Sequence, residues 1–483
     1  MKKQLIFTIA LFLCSLVANA SDIQLKFNKK GQFKIAQFTD LHWIHGSPNS
    51  IKTAETIKHV LETEKPDVAI LSGDVVWKDS VKEGWLTVAK IFEEAKTPWA
   101  ITLGNHDSED DLTRDGVFEF LEGMPYYIGE QGEELTGCGN YSLPILSSQG
   151  SKIAAVLYCV DSNDYPADQK LGHYDWIHFD QIDWYRKTSD KYTAQNNGKP
   201  LPSLAFFHIP LPEYKEIIGK DTTHGAKNEE GVSSPVVNSG FFCSLMEKGD
   251  VMGTFVGHDH DNNYIGILHD IALAYGRVTG ADAYGDFERG ARIITMYEGE
   301  NQFDTWIRTK SGTDLLYYYP SGISAQEEAS AQYMPAIKTN PKKQGVAYTY
   351  YEGRIKSTDR IASLTPLKTG IINNISLAPA SAQDSFAFEF KTLIKILERG
   401  MYRFYTHSDD GSKLFINGKL VVDNDGSHNA RRREGKIALE AGYHELKVLY
   451  FEDYMGESLE VGISSRSILE IPIPDNMLYV PEK

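Results

Sequence analysis

Five times in its first 260 residues the chain shows a short apolar run that stops on metal-binding side chains. The runs are FKIAQFTDLH, PDVAILSGD, WAITLGNHD, LAFFHIP and TFVGHDH. They end on Asp40 and His42, on Asp74, on Asn105, His106 and Asp107, on His208, and on His258 and His260. Each apolar run has the length of a buried strand. The donors therefore fall at strand C-terminal ends, where α/β folds place their chemistry. Helical patterns lie between the runs. Ser50 to Lys65 carries apolar residues at helical spacing and ends before Pro66. Tyr174 to Lys187 repeats the pattern with Trp176, Phe179, Ile182 and Trp184 or Tyr185. Such alternation predicts parallel strands with crossover helices on both faces, from about residue 31 to residue 310.

The pattern then changes. Residues 311–345 are polar and rich in small side chains and read as an interdomain connection. Residues 346–470 hold short alternating runs such as SFAFEFKTLIKI, KLFI, KLVVDN and YHELKVLYF, separated by turn signals. Asn417-Gly418, between KLFI and KLVV, marks a tight hairpin whose two central residues need positive φ. This half reads as an all-β sandwich, with 471–483 as a tail. The expected architecture is an α/β domain over 21–310 followed by the sandwich.

Composition narrows the class. At 483 residues the chain is too long for one ordinary core. Its 41% apolar and 24% charged content are those of a soluble globular protein. Residues 1–20 read as a signal peptide: Lys2 and Lys3, an apolar stretch from Leu5 to Val17, then Ala18-Asn19-Ala20 for cleavage. That stretch is too short to span a bilayer, and no later one is longer. The expected location is periplasmic or secreted, without a membrane span. Leu13 before Cys14 is too bulky for a lipoprotein anchor. Cleavage leaves 47 basic residues against 66 acidic ones, a net −19. That sign argues against nucleic acid as a partner, which needs clustered Lys and Arg. Cys138, Cys159 and Cys243 then remain, too few for a disulfide framework, and Cys159 reads as a small buried side chain.

Seven donors of mixed His, Asp and Asn type suffice for two cations sharing one carboxylate. Two cations about 3.5–4 Å apart can acidify a water and clamp phosphoryl oxygens. The donors are hard or borderline, suited to divalent Mn, Zn or Fe. Spacing of two in Asp40-Leu41-His42 and His258-Asp259-His260 puts both side chains of each pair on one side of an extended strand end. Gly73 lets the backbone turn tightly before Asp74.

The blocks DLH, GD, GNHD, a His after an apolar run, and GHDH, in this order, resemble the calcineurin-like metallophosphoesterase superfamily, whose fold is an α/β/β/α sandwich. The resemblance implies one metal on Asp40, His42 and His260, a second on Asn105, His208 and His258, and Asp74 as the bridge. It implies that His106 faces a phosphoester substrate and stabilises or protonates the leaving oxygen, with Asp107 orienting its ring. TDLHW, LSGDVVW, TLGNHDSE, GHYDWI, FHIPLPEY and YGRVTGADAYGDFERGAR resemble the purple-acid-phosphatase-like branch. Coloured members carry a tyrosine three residues after the bridging Asp; here that position is Trp77, which implies a colourless protein. Arg277, Tyr284, Arg289 and Arg292 are candidates for phosphate contacts. The remaining histidines, His173 among them, read as surface or core residues, and the tryptophans of YDWIHFDQIDW as helix-face core.

The segment around SDDGSKLFINGKLVVDN resembles the protective-antigen-type β-sandwich, a module attached to secreted glycosidases and adhesins. Asp409 and Asp410 match the pair that binds calcium and a sugar in adhesins, and Asp-Asp-Gly is equally a plain acidic turn. The expected activity is hydrolysis of phosphate monoesters, with an accessory module for glycans. The alternatives are phosphodiester hydrolysis at the same site, or a noncatalytic carbohydrate-binding protein.

Overall fold

A computed structural model describes residues 23–481 apart from 79, 110–111 and 228–230. The expected signal segment lies outside the described residues.

The first domain contains two sheets. One takes β1 (Gln32–Phe38), β2 (Val68–Ser72) and β3 (Trp99–Thr102), the other β4 (Tyr141–Leu146), β5 (Ile153–Cys159), β6 (Ser203–Phe206), β7 (Val251–Val256), β8 (Ile265–Leu268) and β9 (Ile271–Tyr275). The first sheet is completed by β10 (Gly290–Tyr297), β11 (Phe303–Thr309), β12 (Gly312–Tyr319) and β13 (Ile323–Ser324). Its strand order is β13-β12-β11-β10-β1-β2-β3, and that of the second is β4-β5-β6-β7-β9-β8. Parallel pairing is confined to β1-β2-β3, at one edge of the first sheet, and to β5-β6-β7-β9 in the middle of the second. Antiparallel strands adjoin the expected parallel ones, on one side in the first sheet and on both sides in the second, so each sheet is mixed.

Period-two alternation in β5 shows how the sheets share their cores. Ala155, Leu157 and Cys159 join the cluster that holds Ile35 of β1 and Ile70 of β2. Val156, Tyr158 and Val160 face the other way, into a cluster with Ile182, Trp184 and Phe241. Helices α1 (Pro48–Glu64) and α2 (Val81–Ala95) bury Ile57, Val60, Val88 and Phe92 in the first cluster. Helix α1 starts at Pro48 because Ser47 caps it, accepting from the Asn49 amide at 3.2 Å.

The expected helix at 174–187 begins later. The observed element runs Phe179–Gln195, with the Gln181 side chain accepting from the His178 amide at 2.8 Å. That capping box stops the helix short of Tyr174 and Trp176. Trp176 stacks on His178 in a half-buried loop, and only Trp184 is core.

The expected connection at 311–345 is a second correction. Gly312–Tyr319 and Ile323–Ser324 are strands of the first sheet, and a short helix follows at Ala325–Ser330. Thr309 pairs with Gly312, so Lys310-Ser311 is a two-residue hairpin turn rather than the start of a linker.

From Val346 onward the chain is a two-sheet β-structure. One sheet is built around Phe386–Ile396 and Gly442–Glu452, the other around Gly400–Asp409, Arg431–Leu439 and Ser458–Ser465. Asn417 and Gly418 both have positive φ, 45° and 79°, at the predicted hairpin. The expected tail belongs to the sandwich. Ile471–Pro472 and Leu478–Tyr479 pair with its strands, and Ile473, Met477 and Leu478 enter its core. The domains are held together by buried polar contacts. The Lys436 ammonium donates to the Asp221 and Gly322 carbonyls and to Glu327, and Arg403 donates to the Pro320 carbonyl at 3.2 Å.

Candidate metal centre

Parallel strands bring the donors together. Asp40 and His42 follow β1, Asp74 follows β2, Asn105 follows β3, His208 follows β6, and His258 and His260 follow β7. Both sheets therefore contribute, and the donors meet where their C-terminal edges adjoin. Asp40, His42 and His260 form one buried cluster, and Asp74, His208 and His258 a second, each with its ligand atoms within 4.8 Å of one another. Asp74 touches both. Its Oδ2 lies 3.2 Å from His208 Nε2 and 3.6 Å from His42 Nε2.

The local backbone is not extended strand. Asp40, His42, Asp74 and His258 all have positive φ, between 42° and 76°. Residues without glycine's freedom adopt this region at a cost, and such strain gathers at functional sites. The spacing-of-two argument thus places the side chains correctly at Asp40 and His42 for the wrong conformational reason. It fails at His258 and His260, which turn to different clusters. Gly73, at φ 87°, carries the expected tight turn, and a Cβ there would collide with the His208 ring. A Cβ on Gly104 would strike the Asp74 carboxylate.

Burial and charge set protonation states that suit cations. Burial pushes His42 down to about 4 and His258 to about 3, leaving both imidazoles neutral with a lone pair to give. Burial works against the charge on Asp40, but His260 and His208 outweigh it and hold the carboxyl at about 2. His42 and His260 oppose their Nε2 atoms at 3.2 Å, and His258 Nδ1 lies 3.3 Å from His208 Nε2. Nitrogen lone pairs converging in this way repel unless a cation or proton sits between them. Asn105 completes the set. Its Nδ2 donates to the Tyr165 hydroxyl at 3.0 Å, while its buried Oδ1 has no partner. These donors fit a pair of divalent cations.

Around the donors lies a cavity of about 390 Å³. His106 is at its wall, with its side chain 29% exposed. The His106 amide donates to Asp74 Oδ1 at 2.9 Å, and its ring Nδ1 donates to Glu109 Oε1 at 2.6 Å. Glu109, not Asp107, orients that ring. Asp107 is fully buried and accepts from the amides of Val75, Val76 and Gly104. It pins the loop after β2 to the loop after β3.

Other expectations shift as well. His173 lines the cavity rather than packing elsewhere, and Tyr165, Tyr174 and Trp77 line it too. Tyr284 stacks on the His260 ring at 3.9 Å, and its hydroxyl accepts from the His260 amide. Arg289 donates to the carbonyls of Ala283, Tyr284 and Phe287, fixing that loop. Arg277 is buried with its guanidinium 4.3 Å from the Phe287 ring, and Arg292 is wholly buried, donating to the carbonyls of Tyr275 and Asn263. None of the three arginines lines the cavity. In the sandwich, Asp409 and Asp410 cluster with Glu452, a third acid that lies more than forty residues away in the chain and that no motif marks.

Comparison with known proteins agrees with this geometry. The calcineurin-like phosphoesterase family matches residues 33–262, and the PA14 domain matches residues 342–476. A probable inactive purple acid phosphatase 29 of Arabidopsis thaliana is 34% identical over 62% of this chain and 86% of its own length. The chain belongs to the calcineurin-like phosphoesterase family. Phosphatase DCR2 of Saccharomyces cerevisiae is 31% identical over 64% of this chain and 59% of its own length. A dimetal phosphatase from Danio rerio aligns structurally over 58% of this chain and 98% of its own, with 12% identity and a TM-score of 0.42. Residues 342–476 of the chain are a PA14 domain, the protective-antigen type of sandwich.

The electrostatics and hydrogen bonding of the site make two outcomes testable. Burial opposes a charge on His208, but Asp74 and Asp40 outweigh it and push the imidazole up to about 10 from 6.5. Its charged form therefore stabilises the metal-free fold fully below 6.5 and ceases to do so as pH rises through about 10. A cation must displace that proton. Metal binding at about pH 7.5 should release about one proton per chain from His208, read by calorimetry in buffers of different ionisation heat, and affinity should rise with pH across this window. Asp107→Ala strands three backbone amides, each worth about 1–3 kcal/mol when left unsatisfied. Its thermal midpoint should fall by several degrees, and more than that of Asp107→Asn.

Proposed function

We propose that this phosphoesterase is an exported, metal-dependent phosphatase acting on phosphate monoesters. The observation that carries the reading is the complete donor set, with Asp74 beside imidazoles of both clusters and His106 at the cavity wall. Relatives named as probable inactive phosphatases leave turnover in this chain to its own side chains, and no donor position here is degraded.

Asp40, His42 and His260 would hold one divalent cation, Asn105, His208 and His258 the other, with Asp74 shared. Manganese, zinc and iron all suit these donors. When bound, the pair supplies positive charge to the phosphoryl oxygens and a water acidic enough to attack near neutral pH. The chain does the rest. His106, beside the donors and held through Nδ1 by Glu109, presents Nε2 to the oxygen that departs and stabilises or protonates it. Asp107 fixes the loop that carries both His106 and Asn105. Trp77, three residues beyond Asp74, supplies no phenolate, so an iron-loaded protein stays colourless. Export rests on the sequence of the first twenty residues.

A second reading concerns the PA14 domain. Three carboxylates converge there, the Glu452 Oε1 is buried without a partner, and burial together with Asp410 pushes Glu452 up to about 8. A hard cation such as calcium suits an all-oxygen cluster, and through it a glycan could be held. Some of the oxygens are already engaged: Asp410 accepts from the amides of His428 and Asp453, and Asp409 from that of Ala430.

The phosphatase reading is tested on protein beginning at residue 21, with Mn²⁺, Zn²⁺ or Fe²⁺ and p-nitrophenyl phosphate. Asp74→Asn should abolish both turnover and stoichiometric metal. His106→Ala should keep the metal and lose about 10²–10⁴-fold in kcat. Rates on bis-p-nitrophenyl phosphate should be much lower; a diester preference would replace the monoester reading. For the PA14 domain, Ca²⁺ should raise the thermal midpoint of the wild type but not of Glu452→Gln. A glycan array with and without Ca²⁺ then reads sugar binding.

A further inference from the structure

Resting on the phosphatase reading, the geometry points to a substrate class: phosphomonoesters whose leaving group presents a flat, uncharged ring, with Tyr284 as the residue that selects it. Aromatic rings surround the donors. Tyr284 lies against His260 at 3.9 Å and 26°, nearly parallel, yet remains 56% exposed. One face is therefore occupied by the imidazole while much of the ring is open. Beside the second cluster, Tyr174 meets His258 edge-on at 4.5 Å, and Tyr165 stacks with Tyr174 at 6.1 Å. Trp77 stands next to His106 at 5.7 Å, with Lys78 over its ring. A group leaving toward His106 departs into this aromatic surround.

Charge points the same way. Among the described residues that line the cavity there is no lysine or arginine, while Asp282 lines it with a buried Oδ2 that has no partner. Lys78, next to the lining residue Trp77, is taken up by that ring's face. Beyond the phosphoryl group held by the metals, the described lining offers no permanently charged cation to further anionic charge. Nucleoside triphosphates and other polyanions fit poorly; a single phosphoryl group on an aromatic ring fits well. The open Tyr284 ring offers such a group offset stacking.

The test separates ring recognition from turnover and from leaving-group reactivity by using phosphonates, which cannot be hydrolysed. Phenylphosphonate and cyclohexylphosphonate differ in flatness at similar size. Binding of each to the Mn²⁺-loaded protein is measured by calorimetry, for the wild type, Tyr284→Leu and Tyr284→Phe. The wild type should prefer phenylphosphonate by about three- to ten-fold, the range of an aromatic pair. Tyr284→Phe should keep that preference and Tyr284→Leu should lose it, both with full metal content. Equal binding of the two compounds by the wild type, or an undiminished preference in Tyr284→Leu, overturns the proposal, as does failure of phenylphosphonate to bind. Hydrolysis of p-nitrophenyl phosphate, assayed in parallel, decides the phosphatase reading separately. An active enzyme without ring preference sinks only the substrate class.

Discussion

Asp74 is the constraint on which the arrangement turns. Its carboxylate has one oxygen facing imidazoles from both clusters and the other accepting from the His106 amide. To stand there it leaves β2 through Gly73 and itself takes φ 50°, with Gly104 keeping the opposite side clear. A side chain at either glycine would meet a donor. The strain is held because neighbouring loops are tied to the same point. His208 Nδ1 donates to the Ser72 carbonyl, Thr39 donates to that same carbonyl, and Gln37 donates to both Ser72 and Val256. These bonds join the ends of β1, β2, β6 and β7, which belong to different sheets. The metal centre is thus also the seam between the sheets, so packing precision in the two cores is transmitted to the donors.

Much of this is legible from residues. A buried strand needs a continuous apolar run, and its end is marked when polar donors interrupt it; that is why the seven donors stand out along the chain. What escapes such reading is local. His106 takes its orienting partner from Glu109, three residues on, because Asp107 turns inward to three backbone amides. Adjacent residues on a tight loop point apart, and no spacing rule reveals which neighbour returns. Tyr174 and His173 blend into a helix or into background because the apolar spacing continues through them, whereas the capping box at His178 and Gln181 starts the helix later. The strand at 312–319 is hidden by its composition. It lies near a sheet edge, with Thr313 and Asp314 exposed, so it lacks the apolar signature of the central strands.

The two halves are less independent than their sequence patterns suggest. Lys436 on the sandwich is almost fully buried against the carbonyls of Asp221 and Gly322 and the Glu327 carboxylate. Arg403 is similarly buried and reaches both the Pro320 carbonyl and Glu470. Charges removed from water to this extent tolerate little movement of their partners, since a lost partner leaves a buried ion uncompensated. A PA14 domain attached in this way is fixed against the first domain rather than tethered loosely.

The same burial that prepares the donors leaves them poorly balanced without cations. Asp40 and Asp74 remain ionised, His42 and His258 stay neutral, and the charged His208 is the cation placed against both carboxylates. Opposed imidazole nitrogens at 3.2 Å and 3.3 Å add repulsion wherever no proton lies between them. Divalent cations relieve the carboxylate and imidazole repulsions together, because they meet all these lone pairs at once. Binding energy gained at the centre is therefore also folding energy for the seam between the sheets. In this fold, the chemistry that would attack a phosphoester and the forces that keep the two sheets in register draw on the same few side chains.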